Sequence, residues 1–200
     1  MIAPGITLYL ARHGETEWNV ARRFQGQGDS PLTARGREQA RLLGSILAEC
    51  CKSSSPPRFI SSPAERARHT MEIILHTLGM PADQYTTDER LAEGHVGEWS
   101  GLSFDEVQAR YKAEWDAREA DWWNAAPPGG ESYAEMAIRA KSFLAGLKRD
   151  TVAVSHGAFG RVLRGLACDM SIEEMGELHS PQDCVHRLCG GTMATLEGAE

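Results

Sequence analysis

Apolar residues along this chain follow two patterns that take turns. Thr7 to Ala11 is a short unbroken run of strand length, and Thr33 then opens a segment in which Ala40, Leu43, Ile46 and Leu47 recur at helical spacing. "RFISS" at 58–62 predicts a second strand. From Pro63, a residue suited to the first turn of a helix, Ala67, Met71, Ile74 and Leu78 keep one stripe. "QYTTD" at 84–88 predicts a weak third strand. Ser103 with Glu106 and Ser132 with Glu135 have the spacing of capping boxes, and the second opens a helix whose Met136, Ala140, Phe143 and Leu147 share a face. "TVAVSHG" at 151–157 is almost continuously apolar, as a strand is when both faces of a parallel sheet are covered. A helix with Phe159, Val162, Leu163 and Leu166 follows, and Val185 to Leu188 with Met193 to Leu196 predicts a closing hairpin.

Strand and helix thus alternate over most of the length. That order predicts an α/β fold, a three-layer αβα sandwich around a mostly parallel central sheet, as one domain over residues 1–200. The least regular stretch, "DWWNAAPPGGES", reads as a loop or lid, and residues 97–130 as a helical and loop insertion covering the site. A length of 200 residues, 42% hydrophobic and 24% charged, suffices for a substantial core and excludes a disordered or collagen-like chain. No run reaches the roughly 18 to 20 apolar residues of a membrane span, and the first residues lack the layout of a secretory signal, so a soluble cytoplasmic protein is expected. Five cysteines without a C-x-x-C pair read as reduced thiols. A formal charge of −7 argues against nucleic acid as a partner, so an anionic ligand must meet a local positive pocket.

Several predicted strands end on reactive side chains. In open parallel sheets ligands sit outside the carboxyl ends of the strands, where residues far apart in sequence converge. Those positions hold Arg12 and His13, then Ser61 and Ser62 leading to Arg66, then Glu93, then His156. Two guanidiniums suit a tetrahedral dianion, because their fixed donors match phosphate oxygens. Gly157 is predicted to open a helix whose free amides face the same anion. The imidazoles offer a nucleophile or donors, and a carboxylic acid is at hand for proton transfer. Taken alone, Arg66 beside Glu65 and Arg68 would be a solvated helix face, and Glu93 competes with Glu89 and Glu98. The remaining histidines lack the H-E-x-x-H and H-x-x-E-H spacings of zinc enzymes, so neither a catalytic metal nor another cofactor is expected. His95 lies two residues beyond Glu93 and is a candidate for lining the pocket. Trp115, Trp122 and Trp123 are candidates for a wall that contacts substrate. "GQG" at 26–28 lacks the strand and Lys-Ser/Thr ending of a nucleotide loop and is read as a turn near the pocket.

Six blocks occur in one order: "ARHGETEWN", "QGQGDSPLTARG", "SSPAERARHT", "DERLAEGHVGEWSG", "PPGGES" and "VAVSHG". Together they resemble the histidine phosphatase superfamily, the group of cofactor-dependent phosphoglycerate mutases and many small phosphatases. The resemblance covers nearly the whole chain and implies a phosphoglycerate mutase-like fold. It implies that His13 takes the phosphoryl group as a phosphohistidine, that Arg12, Arg66, His156 and Asn19 bind phosphate oxygens, and that Glu93, in register with "RLAE", is the acid, with Glu98 the fallback. The expected activity is metal-independent hydrolysis of a small phosphorylated metabolite. Phosphoglycerate mutases of this group are typically longer, with a larger insertion and an extended carboxyl tail, which places mutase activity second. A non-catalytic phosphate-binding or interaction module would lack one of these residues and ranks third. The expected partners are phosphate and the small phosphorylated metabolite, with no nucleic acid and no membrane; a homodimer is left open.

Overall fold

Thr151–Ser155 is buried at every position, and the reason is its place: it runs through the middle of a sheet that is covered on both sides. A computed structural model describes residues 2–52 and 55–198. Its strands are β1 (Leu8–Arg12), β2 (Arg58–Ser61), β3 (Thr86–Thr87), β4 (Thr151–Ser155), β5 (Cys184–Cys189) and β6 (Thr192–Glu197). They form one sheet in the order β3-β2-β4-β1-β5-β6. The first four run parallel to their neighbours, while β5 pairs antiparallel with β1 and β6 antiparallel with β5.

Alternation along the strands divides the core. Leu8, Leu10, Ile60, Ala153 and Leu188 face α6 (Tyr133–Ala145) and α7 (Gly157–Ala167), where Met136, Phe143, Phe159 and Leu163 are buried. Ala11, Phe59, Val152, Val154 and Val185 face α2 (Ala34–Cys51) and α3 (Glu65–Thr77), which supply Leu43, Leu47, Met71 and Ile74. Helices therefore cover both faces, giving the three-layer α/β sandwich with a mostly parallel sheet.

The departures from the sequence reading are local. The helix expected from Pro63 begins at Glu65 and ends before Leu78, which caps it. The third strand has only two residues. Capping boxes close not only α4 (Phe104–Arg110) and α6 but also two short helices the apolar pattern did not reveal, α1 (Glu17–Val20) and α8 (Ile172–Glu177). Each is too short for helical periodicity to register, yet T-x-x-N and S-x-x-E mark its start. α5 (Lys112–Ala120) follows α4 directly, and 121–132 contains no regular helix or strand. The final hairpin turns on Gly190 and Gly191, both at positive φ (56° and 77°), which a two-residue turn of this hand requires.

Sheet bonding continues one residue beyond the strands. The His13 amide donates to the Ser155 carbonyl (2.9 Å) and the Ser62 amide to the Val154 carbonyl (2.9 Å), so both residues are held as rigidly as the strands. Just past β1, Gly14 lies against Gly36 of α2: a Cβ on Gly14 would collide with the Gly36 carbonyl, and one on Gly36 with the Glu15 carbonyl. Gly36→Ala is therefore expected to lower stability, although helix propensity alone would make it stabilising by about 1 kcal/mol. A urea midpoint equal to or above that of the wild type would refute this close approach.

Candidate active site

The carboxyl ends of β1, β2 and β4 bring Arg12, His13, Arg66 and His156 together although 144 positions separate the outermost pair. His13 is buried, with 3% of its surface exposed. Its Nδ1 lies 2.8 Å from the Gly14 carbonyl, and Arg66 Nε donates to its Nε2 (3.2 Å). A carbonyl only accepts, so the ring proton sits on Nδ1 and Nε2 carries the lone pair. Burial holds the His13 pKa well below the ordinary imidazole value, and the charges of Arg66 and Arg12 push it the same way, so the ring is neutral at pH 7.

Arg66 is even more enclosed, at 1% exposure. Besides His13 it donates to the carbonyls of Gly28 (2.6 Å) and Gly26 (2.7 Å), to Asp29 (3.1 Å) and to His156 Nδ1 (3.1 Å). All five of its N–H donors are thus engaged. The "GQG" turn is the carbonyl cradle of this guanidinium, which explains its place near the pocket. Since His156 Nδ1 accepts, Nε2 carries the proton and donates to Ser62 Oγ (2.6 Å). His156 is buried, its pKa lowered well below the usual range by burial and then by Arg66, and its ring meets that of His13 edge-on with centroids 5.2 Å apart. It stands behind Arg66 and does not itself line the cavity.

The cavity, about 490 Å³, opens over Arg12, His13, Asn19, Arg66, Glu93 and Gly157. Arg12 donates through Nη1 to the Ser180 carbonyl (2.7 Å), while its buried Nε has no partner. Asn19 accepts through Oδ1 from the Thr16 amide (3.1 Å) and from Gln182 Nε2 (3.1 Å), which turns its amide nitrogen away from both. Gln182 also donates to the His13 carbonyl (3.0 Å) and so joins the two blocks; nothing in its sequence surroundings marked it.

One expectation needs correcting. Two of the free amides at the start of α7 do not await an anionic ligand. Those of Ala158 (3.1 Å) and Phe159 (2.9 Å) donate to the carboxylate of Glu93, which also takes the Gly94 amide (2.9 Å). A helix N-terminus favours any nearby negative charge, and here a side chain of the protein supplies it. The Arg12 guanidinium lies across Gly157, where a Cβ would meet its carbon at 3.4 Å, an ordinary contact. Glu98, the alternative acid, is exposed and bonded to the Tyr111 hydroxyl (3.0 Å), away from the cavity.

His95 lines the mouth, as expected. The three tryptophans do not line it. Trp115 packs behind it with Phe24, Trp99 and Phe104, and Trp122 and Trp123 stack around Tyr133. Trp18, Phe24, Phe104 and Tyr133 form the aromatic wall in their place. Side chains from α4, α5 and the loop after them, Phe104, Arg118 and Pro127, reach this cavity. Among the described residues no group of three or more His, Cys, Asp or Glu side chains could hold a metal ion. No helix among them is long and apolar enough to cross a membrane, and the five cysteines are free thiols.

A second buried cluster supports Arg12 from behind. Arg164 on α7 donates to the carbonyl of His179 (2.5 Å) and to Ser180 Oγ (3.3 Å), fixing the loop whose Ser180 carbonyl holds Arg12. It also donates to Nε2 of His186 (3.1 Å), leaving the His186 proton on Nδ1 beside Thr195 Oγ1 (3.3 Å).

With this geometry in place, the chain belongs to the histidine phosphatase superfamily, branch 1, which it matches over residues 8–192. It is 37% identical over 158 residues, 76% of this chain and 70% of the relative, to a protein of Photorhabdus laumondii named "Probable phosphoglycerate mutase GpmB". Against the namesake of Serratia proteamaculans the match spans 61% of the relative's length. Among solved structures it resembles the alpha-ribazole phosphatase of Shigella flexneri, with TM-score 0.81 and 27% identity over 98% of this chain and 100% of that one. It also resembles a mycobacterial glucosyl-3-phosphoglycerate phosphatase complexed with VO3, with TM-score 0.79 and 26% identity over 98% and 100%.

Burial and the Arg164 charge lower the His186 pKa from 6.5 to about 4. Unfolded His186 takes a proton near pH 6.5, whereas folded His186 resists until about 4. Its contribution to stability is therefore full above pH 6.5 and is lost as the pH falls towards 4, at up to about 1.4 kcal/mol per pH unit. His186→Gln should flatten the fall of the urea midpoint between pH 6.5 and 4.5 relative to wild type. Parallel pH profiles would refute it.

Proposed function

We propose that the protein is a metal-independent phosphomonoesterase that hydrolyses a small phosphorylated metabolite through a phosphohistidine at His13. One observation carries this reading: His13 presents a lone-pair-bearing, uncharged Nε2 between two guanidiniums, with Nδ1–H tied to the Gly14 carbonyl. Phosphoryl transfer depends on positioning and on donors aimed at the equatorial oxygens. Arg12 Nε and the amide nitrogen of Asn19 are available as such donors. Arg66 reaches a phosphate oxygen by exchanging its bond to His13 Nε2, and that exchange frees the nucleophile as the anion arrives. His156 supports the phosphate site through Arg66, accepting from its Nη2 at Nδ1 and donating from Nε2 to Ser62. Nε2 of His13 then bonds to phosphorus as the ester oxygen leaves, and Glu93 gives that oxygen its proton. In the second half water attacks the phosphohistidine, returns a proton to Glu93 and releases phosphate.

Hydrolysis is favoured over mutase activity by the solved phosphatases, which match over nearly all of both chains, while the sequence relatives named as mutases match over 61–70% of theirs. The pocket chemistry recognises the phosphate, and substrates like those named for the two phosphatases, a ribazole phosphate or a glycosylated phosphoglycerate, are the first to try. The protein acts on free metabolite, without nucleic acid, membrane or cofactor.

Phosphate release from a monoester panel should occur in EDTA, vanish in His13→Ala and leave an acid-labile phosphoryl label on wild type. Conversion of 3-phosphoglycerate to 2-phosphoglycerate without release would make the protein a mutase, and silence in both assays would leave only binding. Glu93→Gln should cost about 10²- to 10⁴-fold on alkyl phosphates and much less on p-nitrophenyl phosphate, whose leaving group needs no proton. Equal losses on both substrates would assign the proton to another group.

A further inference from the structure

Cys50 and Cys51 are the last two residues of α2 and the only adjacent cysteines in the chain. Their Sγ atoms lie 3.9 Å apart. Consecutive side chains on a helix leave its axis about 100° apart, so two sulfurs come this close only when both rotamers turn them towards each other. The side chains rest against the apolar layer between α2, α3 and the sheet, and each keeps part of its surface open to solvent. Cys50 is fixed further by donating from Sγ to the Leu47 carbonyl (2.9 Å).

The active site does not account for this pair. α2 touches the catalytic end of the sheet through the Gly14 and Gly36 contact, and from Gly36 to Cys51 the helix rises about 22 Å away from it. Two adjacent thiols can join to each other or share an ion, and geometry separates these outcomes. A disulfide brings its sulfurs to about 2.05 Å and usually spans Cα atoms about 4.4–6.8 Å apart, whereas the peptide holds consecutive Cα atoms at about 3.8 Å. An ion bonded to two thiolates at about 2.3 Å, the length zinc forms, sets the sulfurs about 3.8 Å apart at a tetrahedral angle and about 4.6 Å apart on a line. The observed 3.9 Å falls in that range, so an ion can bridge the sulfurs without movement of the backbone. The carbonyl end of α2, with no basic residue in its last turn, adds the partial negative charge that favours a cation.

The number of ligands narrows the choice of ion. Among the described residues no third His, Cys, Asp or Glu side chain completes a metal-binding group with the pair. Structural zinc takes four ligands, whereas copper(I) is a soft ion that thiolates select and that two of them satisfy.

We infer that Cys50 and Cys51 form a chelating site for copper(I), separate from the phosphate pocket and independent of the phosphatase reading. Each thiol gives its proton to water as its sulfur bonds to the ion, and copper keeps its oxidation state.

Competition for copper(I) tests it. Under anaerobic conditions the reduced protein should withdraw one equivalent of copper per chain from the copper(I) complex of bicinchoninate, and native mass spectrometry should show the one-copper adduct. Cys50→Ser and Cys51→Ser should each weaken the competition at least 100-fold, and Cys189→Ser should leave it unchanged. If a serine variant fails to fold, wild type decides: one equivalent of copper(I) should protect Cys50 and Cys51, but not Cys189, from alkylation by iodoacetamide, read peptide by peptide. No withdrawal of copper from bicinchoninate, uptake retained in both serine variants, or protection spread evenly over all the cysteines would overturn the site.

Discussion

A guanidinium sealed from water organises this site. Arg66 has five N–H donors and 1% exposure, so each donor must find an acceptor inside the protein. The solution recruits two carbonyls from the 26–28 turn, the carboxylate of Asp29 and both imidazoles. That one requirement fixes the turn, sets the His13 and His156 rings edge to face and sets the tautomer of each. It also keeps both rings neutral, because burial beside a fixed positive charge disfavours a second one. The proposed nucleophile, His13, is thus held neutral by the same contacts that keep a buried charge tolerable.

The parallel sheet explains why such a cluster can exist. β1, β2 and β4 end at the same level, and their hydrogen bonding extends through the His13 and Ser62 amides, so the reactive groups stand on the stiffest part of the molecule. Support comes from the far side as well. Arg164 grips the loop at 179–180, and that loop grips Arg12. Positioning here runs through arginines that each rest on a carbonyl.

Electrostatics divides the protein in two. The surface carries the acidic excess behind the net charge of −7, while the cavity gathers unpaired arginines. An arginine-lined cavity in a chain of net negative charge favours small anions that can enter over large polyanions that cannot. Glu93 remains close to this positive field because the start of α7 holds its carboxylate in place.

The sequence by itself was enough for the α/β order, the sandwich and the residues at the strand ends, because apolar periodicity and strand-end chemistry are local signals. Arg12, His13 and His156 were legible in that way, Arg66 and Glu93 only through the resemblance of their blocks to the family, and the structure brings all five to one place. Tertiary structure alone decided what depends on long-range packing. It gave the α7 amides to Glu93, placed His156 behind Arg66, and moved the aromatic wall from Trp115, Trp122 and Trp123 to Trp18, Phe24, Phe104 and Tyr133. It also revealed Gln182 and Arg164, whose roles come from the partners they bind and leave no trace in spacing. Periodicity tells which side of an element is buried, but only the assembled fold determines which donor meets which acceptor.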